Sequence, residues 1–424
     1  MLKKYKPTFM TITAIVALAL LILVVYSNFI DKINQEVYFK DPAFEHSIKS
    51  ALKIKGPVYK KDLKKIQKLI ILSNEVNIIN QTVDLKITDT GCVYEKADIN
   101  SYGFITSLDD LIHLPNVKEV TIVNNDIVSI PPFLNNKIVY LNLSHNSIID
   151  IDNIKDYENL KTLNLSYNML MDINDVSFYK NIENLNLQAN AISDAKSLET
   201  SINLHTLNIS CNNLQNIDFL SDMTKIKNLD ISKNEIVCIM ALKNLTYIEN
   251  LDISFNRIET LEELSCGSTL LKLNGMNNNI ITLNVAFDKL KDVNLAHNSM
   301  SGIIDLSYIK QGENIIFDFN NISSLVNLPY STCKTLSISH NVLKDLNFIN
   351  KKTAIIKLDI SGNEINNISN VSKHCNNLVE LNISDTAVTQ VETLKDLKHF
   401  NVLIAFGTSV DINVFNPDKI TVVK

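Results

Sequence analysis

One asparagine recurs along most of this chain at a spacing that few folds tolerate. Asn125, Asn146, Asn168, Asn190, Asn212, Asn234, Asn256, Asn278, Asn298, Asn320, Asn341 and Asn363 follow one another, and Thr386 and Thr408 continue the series. The period is about 22 residues, within the range of solenoid repeats. A chain of 424 residues would ordinarily suggest about three domains. Repetition with so short a period explains the length better, because each unit is one supersecondary element that must stack on its neighbours.

The landmark sits in a fixed apolar frame. Leu141, Leu163, Leu185, Leu207, Leu229 and Leu251 lie five positions before it, and Leu143, Leu165, Leu187, Ile209, Ile231 and Ile253 three before it. Ile148, Leu170, Ile192 and Leu214 lie two after it, and Ile151, Ile173 and Ile217 five after it. The pattern is L-x-L-x-x-N-x-I-x-x-I. Its L-x-L part has the period of two that marks a short strand with one buried face. The asparagine falls where the chain turns off that strand. There its amide can donate to and accept from backbone groups that the turn leaves unpaired.

This motif resembles the leucine-rich repeat family, and the 22-residue unit resembles the bacterial internalin-like class. The resemblance covers about residue 41 to the C-terminus. It implies an α/β repeat solenoid, a horseshoe or arc with a parallel β-sheet on the concave face and short helical turns on the convex side. Asp41-Pro42 is a good helix start, with Asp as N-cap and Pro at the first position. Phe44, Ile48, Ala51 and Leu52 make one helical face that Gly56-Pro57 ends, and a second helical stretch is expected around Leu63, Ile66 and Leu69. This pattern resembles the helical N-terminal cap of bacterial surface repeat proteins, which covers the open edge of the first strand. The expected organisation is a cytoplasmic N-terminus (1–8), a transmembrane signal-anchor or signal peptide (9–26), a linker (27–40), a helical cap (41–81), about 15 repeats (82–409) and a C-terminal cap (410–424).

The N-terminal run predicts a membrane location. Phe9 to Tyr26 contains no charge, and Lys3, Lys4 and Lys6 precede it. Eighteen residues at about 1.5 Å each give about 27 Å, close to the thickness of a bilayer core. The positive-inside rule then keeps the N-terminus in the cytoplasm and places the repeats outside. A cleaved signal peptide, releasing the protein, is the alternative. Over positions 1–68 lysines outnumber acids by more than two to one, although the whole chain has a net charge of −6. That net charge argues against nucleic acid as a main partner.

Motifs of catalysis are missing from the sequence: there is no P-loop, G-x-G-x-x-G, H-E-x-x-H, C-x-x-C or G-x-S-x-G. No catalytic, cofactor-binding or metal-binding residue is assigned, and no cofactor is expected. The six cysteines occupy mismatched repeat phases and read as small hydrophobes rather than a disulfide framework.

What remains is a surface for a partner, a protein or a glycan. Four positions before the landmark, Asn142, Asn164, Asn186, Asn208, Asp230, Asp252, Asn274 and Asn294 form a polar row along the expected sheet. Asp230 and Asp252 within it are candidate partner-binding residues. The bland reading is that Asn and Asp simply solvate this position. The row is interrupted near Asn278, where Gly275 replaces a core leucine and Met276 takes an outward phase, and again where Ile316 replaces the polar residue. Phe255 and Phe319 immediately precede their landmarks and are candidate anchors with Met276 and Ile316. Tyr94, Tyr102 and Phe104 lie in the long first unit, a second candidate surface. Three functional readings follow: a membrane-anchored extracytoplasmic binding protein, a secreted or shed adhesin-type binding protein, and a cytoplasm-facing scaffold.

Overall fold

The structure is a computed structural model that describes residues 9–33, 35–72, 75–77, 103–132, 137–173, 181–264 and 269–424. It divides into two compact units, 1–160 and 161–424.

In the first unit, α1 (Phe9–Ile33) carries an exposed, mostly apolar stretch from Val16 to Ile30. Among the described residues, no helix is long and apolar enough to cross a membrane. The expected single-pass anchor, and with it the cell-membrane location with repeats held outside, is corrected by this finding.

Helix α2 (Pro42–Leu52) starts as its sequence predicts, with a side-chain N-cap. Asp41 Oδ1 accepts from the N–H groups of Ala43, at 2.8 Å, and Phe44, at 3.0 Å. The helix ends on Lys53, whose φ of 55° lies in the left-handed region, and it buries Ala43, Phe44 and Ile48. Such a residue commonly closes a helix, because it turns the chain back onto the last free carbonyls. The second oxygen of Asp41 accepts from Thr106 N at 2.8 Å, and Asp110 accepts from the backbone of Lys40 and Asp41. Two buried carboxylates thus tie the cap to the coil behind it.

The expected second helix is confined to α3 (Lys60–Leu63); Leu69 lies instead in a strand, β1 (Lys68–Leu72). The run of apolar residues from Leu69 to Leu72 has no helical spacing to hold it, and pairing decides the outcome. Strand β1 pairs antiparallel with β2 (Glu75–Asn77) and parallel with β3 (Glu119–Val123), which pairs parallel with β4 (Tyr140–Asn142). The start of the expected repeat region, from residue 82 to residue 102, lies outside the described residues.

The second unit is a regular stack of coils. Its strands are β5 (Thr162–Asn164), β6 (Asn184–Asn186), β7 (Thr206–Asn208), β8 (Asn228–Asp230), β9 (Asn250–Asp252), β10 (Lys272–Asn274) and β11 (Asp292–Asn294). Strand β12 (Ser301–Asp305) leaves the series, which resumes at β13 (Asn314–Ile316). After β14 (Asn321–Val326) come β15 (Thr335–Ser337), β16 (Lys357–Asp359), β17 (Glu380–Asn382), β18 (Val402–Ile404) and β19 (Thr421–Val423). Except for β12 and β14, which form a small parallel sheet of their own, each strand pairs parallel with the next in the series. The expected C-terminal cap therefore contributes a further strand. Short 3₁₀ turns such as Lys196–Thr200 and Asp218–Leu220 return the chain to the next strand.

The apolar frame of the motif is the core. Leu185, Leu187, Ile192, Leu207, Ile209, Leu214 and Ile217 are all buried, as are Phe287 and Phe317. Gly275, where the repeat calls for a leucine, is explained by close packing: a Cβ there would stand 2.9 Å from Leu295 Cδ2. Cys333 and Cys375 are buried as small hydrophobes, and burial pushes their thiols up to about 12 and about 11.

Candidate functional site

The landmark asparagines are the joints of the stack. Asn212 Nδ2 donates to Ile209 O and Ser210 O in its own coil and to Leu187 O in the preceding coil, at 3.0–3.1 Å. Its Oδ1 accepts from Ile192 N at 2.9 Å, again in the preceding coil. Asn234, Asn256, Asn278, Asn298, Asn320, Asn341 and Asn363 repeat the arrangement, and Asn190 does so within the same unit. Asn168 donates to Leu165 O and Ser166 O of its own turn. In the first unit Asn125 accepts from Ile105 N, and Asn146 donates to Ile122 O.

Sequence reasoning missed what precedes each landmark. Tyr167, Ala189, Cys211, Lys233, Phe255, Asn277, His297, Phe319, His340 and Asp385 all have φ between 51° and 56°, and Gly362 and Gly407 are also positive. The signal was present, since none of these residues is β-branched, and branched side chains are the ones the left-handed region excludes. The kink sets the side chains in a column. Phe319 is sandwiched between His297 and His340, with ring centroids 4.2 and 4.1 Å away and planes nearly parallel. Lys233 Nζ lies 5.7 Å above the Phe255 ring. The two phenylalanines are each 44 % exposed, but their faces are partly used by these neighbours.

The polar row is also more occupied than the sequence suggests. Asn208 Oδ1 accepts from Ser210 N at 3.0 Å, Asp230 from Ser232 N at 3.0 Å and Asp252 from Ser254 N at 2.9 Å. The serine hydroxyls donate to the same oxygens, at 2.6–2.7 Å. Asn and Asp recur here because each satisfies the backbone two residues on, an Asx turn that ends the strand.

Across β7–β13 the outward side chains line a groove of about 520 Å³. One row runs Asn208, Asp230, Asp252, Asn274, Asn294, Ile316; the other runs Thr206, Asn228, Asn250, Lys272, Asp292, Asn314. Strand register places Asp230 beside Asp252 and Ile316 beside Asn294. Asp252 Oδ2 accepts from Asn274 Nδ2 at 2.8 Å, and Lys272 faces Asp292 at 3.5 Å. Burial raises the carboxyl of Asp230 above the ordinary range, against the Ser232 hydrogen bonds that lower it, and the charge of Asp252 adds to the rise. Ion pairs link neighbouring coils just before their strands, Lys161–Glu183, Lys227–Glu249 and Lys291–Glu313, at 2.7, 3.5 and 3.0 Å. Hydrogen bonds from Lys334 and then Lys291 pull Glu313 down to about 2.

Met276 lies outside the row, its Sδ accepting from Asn294 Nδ2 at 3.7 Å. Phe104 is exposed in the first unit; Tyr94 and Tyr102 lie outside the described residues. Among the described residues, no group of three or more His, Cys, Asp and Glu side chains is placed to hold a metal ion.

No protein-family model matches the sequence, and no curated protein matches it. Solved structures do. An internalin from Listeria monocytogenes superposes with a TM-score of 0.66 over 88 % of this chain and 96 % of its own, at 20 % identity. The fold is that of a leucine-rich repeat protein. A leucine-rich repeat protein of Leptospira interrogans matches over 76 % of this chain and 93 % of its own, with a TM-score of 0.64 at 20 % identity. The leucine-rich repeat ectodomain of the Arabidopsis thaliana receptor kinase GASSHO1/SCHENGEN3, in complex with Casparian strip integrity factor 2, matches over 74 % of this chain and 42 % of its own (TM-score 0.59, 18 % identity). Internalin-like repeats therefore describe the architecture of this chain.

Proposed function

We propose that this chain is a binding protein whose ligand is another protein, taken in the groove across β7–β13. The observation that carries the reading is the groove itself. Paired rows of Asn, Asp, Lys and Ile side chains converge there on about 520 Å³ of accessible space. Regular backbone on either side holds those side chains rigid, so little ordering entropy opposes association. The ectodomain of similar fold solved in complex with Casparian strip integrity factor 2 supports a protein ligand for this chain. Asp230, Asp252 and Ile316 are the binding residues inside the groove, with Met276, Phe255 and Phe319 along its margin. A secreted or shed protein is the form we favour. Among the described residues no helix is long and apolar enough to cross a membrane, and a cleaved signal peptide is the other reading of the apolar N-terminal run.

A photo-crosslinking residue placed at Asn250, in the groove, tests the site against one at Lys243 in the 3₁₀ turn Met240–Asn244. A discrete protein adduct is expected from position 250 and none from 243. Equal labelling at both positions defeats the groove assignment.

A further inference from the structure

Ile316 stands in a row that is otherwise Asn or Asp from Asn164 to Asn294. Elsewhere the row residue accepts from the N–H two residues on. Ile316 has no oxygen to do so, and Ser337, next in the row, leaves Ser339 N to another acceptor. Asp318 takes over, in a position that is Ser in most coils. Its Oδ1 accepts from Ser339 N at 2.7 Å and from Ser337 Oγ at 2.7 Å, both in the following coil. One carboxylate thus replaces, from the side, the turn that Ser337 does not make to Ser339 N. Ile316 thus puts an aliphatic side chain on the groove floor, and Asp318 keeps the backbone of the next coil satisfied.

The other end of the groove is acidic. Asp230 and Asp252 are paired in register on β8 and β9, and neither forms an ion pair among the described residues, whereas Asp292 faces Lys272. The groove is therefore polarised, with two carboxylates at one end and Ile316 at the other.

Resting on the proposed protein-binding reading, the geometry points to an extended polypeptide segment lying across the strands, with a Lys or Arg over Asp230 and Asp252 and a large aliphatic residue against Ile316. Asp252 is three strand spacings from Ile316, and the midpoint of the two carboxylates is half a spacing further. At about 4.8 Å per spacing the distance is about 14–17 Å. An extended chain advances about 3.3 Å per residue, so the basic and aliphatic residues stand four or five positions apart. The charge complementarity steers the encounter, and the aliphatic contact fixes the register.

An array of immobilised peptides read with the full-length labelled chain tests this. The probes contain Arg-Ser-Gly-Ser-Leu, its reverse, and versions with the Arg–Leu separation varied from one to eight. Controls replace Arg by Glu or Leu by Ser. Retention at least fivefold above the controls is expected at separations of four and five, in one chain direction. Ile316→Asn restores the residue seen at Asn274 and Asn294, and it should bring the Leu peptides down to the Ser level. If that variant melts early, Ile316→Ser serves in its place. Asp230→Asn with Asp252→Asn should erase the preference for Arg over Glu. A silent array, an array with no optimum in separation, or one unchanged by Ile316→Asn overturns the inference. Binding of polysaccharide without peptide, or self-association lost on Ile316→Asn, assigns the groove to a glycan or a second copy and overturns it as well. If position 250 crosslinks a protein through a segment lacking this pattern, the inference fails while the groove reading stands. If position 250 labels nothing, both fail.

Discussion

Around Asn212 the landmark side chain bonds both its own coil and the coil before it, whereas Thr386 bonds its own coil alone. Thr386 Oγ1 donates to Ile383 O at 2.6 Å, and Thr408 Oγ1 to Ala405 O at 2.8 Å. Among the described residues neither hydroxyl reaches the preceding coil. A hydroxyl has one donor and a short reach; an amide has two donors and an acceptor on a longer arm. The asparagine coils are thus tied together by side chains as well as by strand pairing, and the two threonine coils depend on strand pairing and packing. In a stack where each unit contacts only its neighbours, stability is a sum of unit and interface contributions. The C-terminal coils should therefore open first under denaturant.

The largest expected effect comes from cutting a joint. Asn212→Ala strips the partner from buried backbone groups of two coils and should cost about 1–3 kcal/mol, read from the denaturant midpoint. A smaller loss there than on Thr386→Ala would reverse the ranking of the two regions.

Converting the weaker region is the complementary test. Thr386→Asn places an amide where it can accept from Ile365 N and donate to Ile360 O, the positions Asn212 uses at Ile192 and Leu187. It should stabilise by roughly 1 kcal/mol and slow hydrogen exchange at Ile365. Unchanged exchange there would mean that the threonine coils hold these groups equally well.

A smaller shift is expected at Asp230. Its carboxyl is raised by burial, so ionising it opposes folding. The fold carries no such penalty below the ordinary carboxylate range and carries it fully once the pH exceeds the raised value. Asp230→Asn keeps the bond to Ser232 N, as Asn208 does to Ser210 N. It should raise the denaturant midpoint at neutral pH, with the gain vanishing as the pH falls below about 3.9. A gain that persists in acid would assign the effect to something other than charge.

The smallest effect belongs to Asn216, an asparagine outside the landmark series. Its exposed Oδ1 accepts from Asp218 N at 2.6 Å. Asn216→Ala should stay within about 0.5 kcal/mol. A loss matching that of Asn212→Ala would show that bridging between coils contributes nothing extra.

Much of this is legible in the residues themselves. Period, strand positions and buried phases follow from where Leu207, Ile209, Leu214 and Ile217 stand, because each is set by the geometry of a single coil. The need of the turn for an amide at Asn212 is equally local. Three readings go beyond what the residues can carry. Leu69 reads as helical and lies in a strand, since β3 is remote from it in sequence but adjacent in space. The polar row reads as free and is largely engaged with the backbone two residues on. The apolar run near the N-terminus reads as membrane-spanning, and among the described residues no helix is long and apolar enough to span.

Sequence by itself determined that the chain stacks 22-residue coils, because an apolar pattern repeated at that period can be buried in no other way. Only the tertiary structure decided how the coils are joined and where the groove is polarised. The bond from Asn212 to Leu187 O, the stacking of Phe319 between His297 and His340, and the service of Asp318 to Ser339 all link one coil to the next. Such contacts arise when one coil is laid on another, and nothing within a single repeat encodes them.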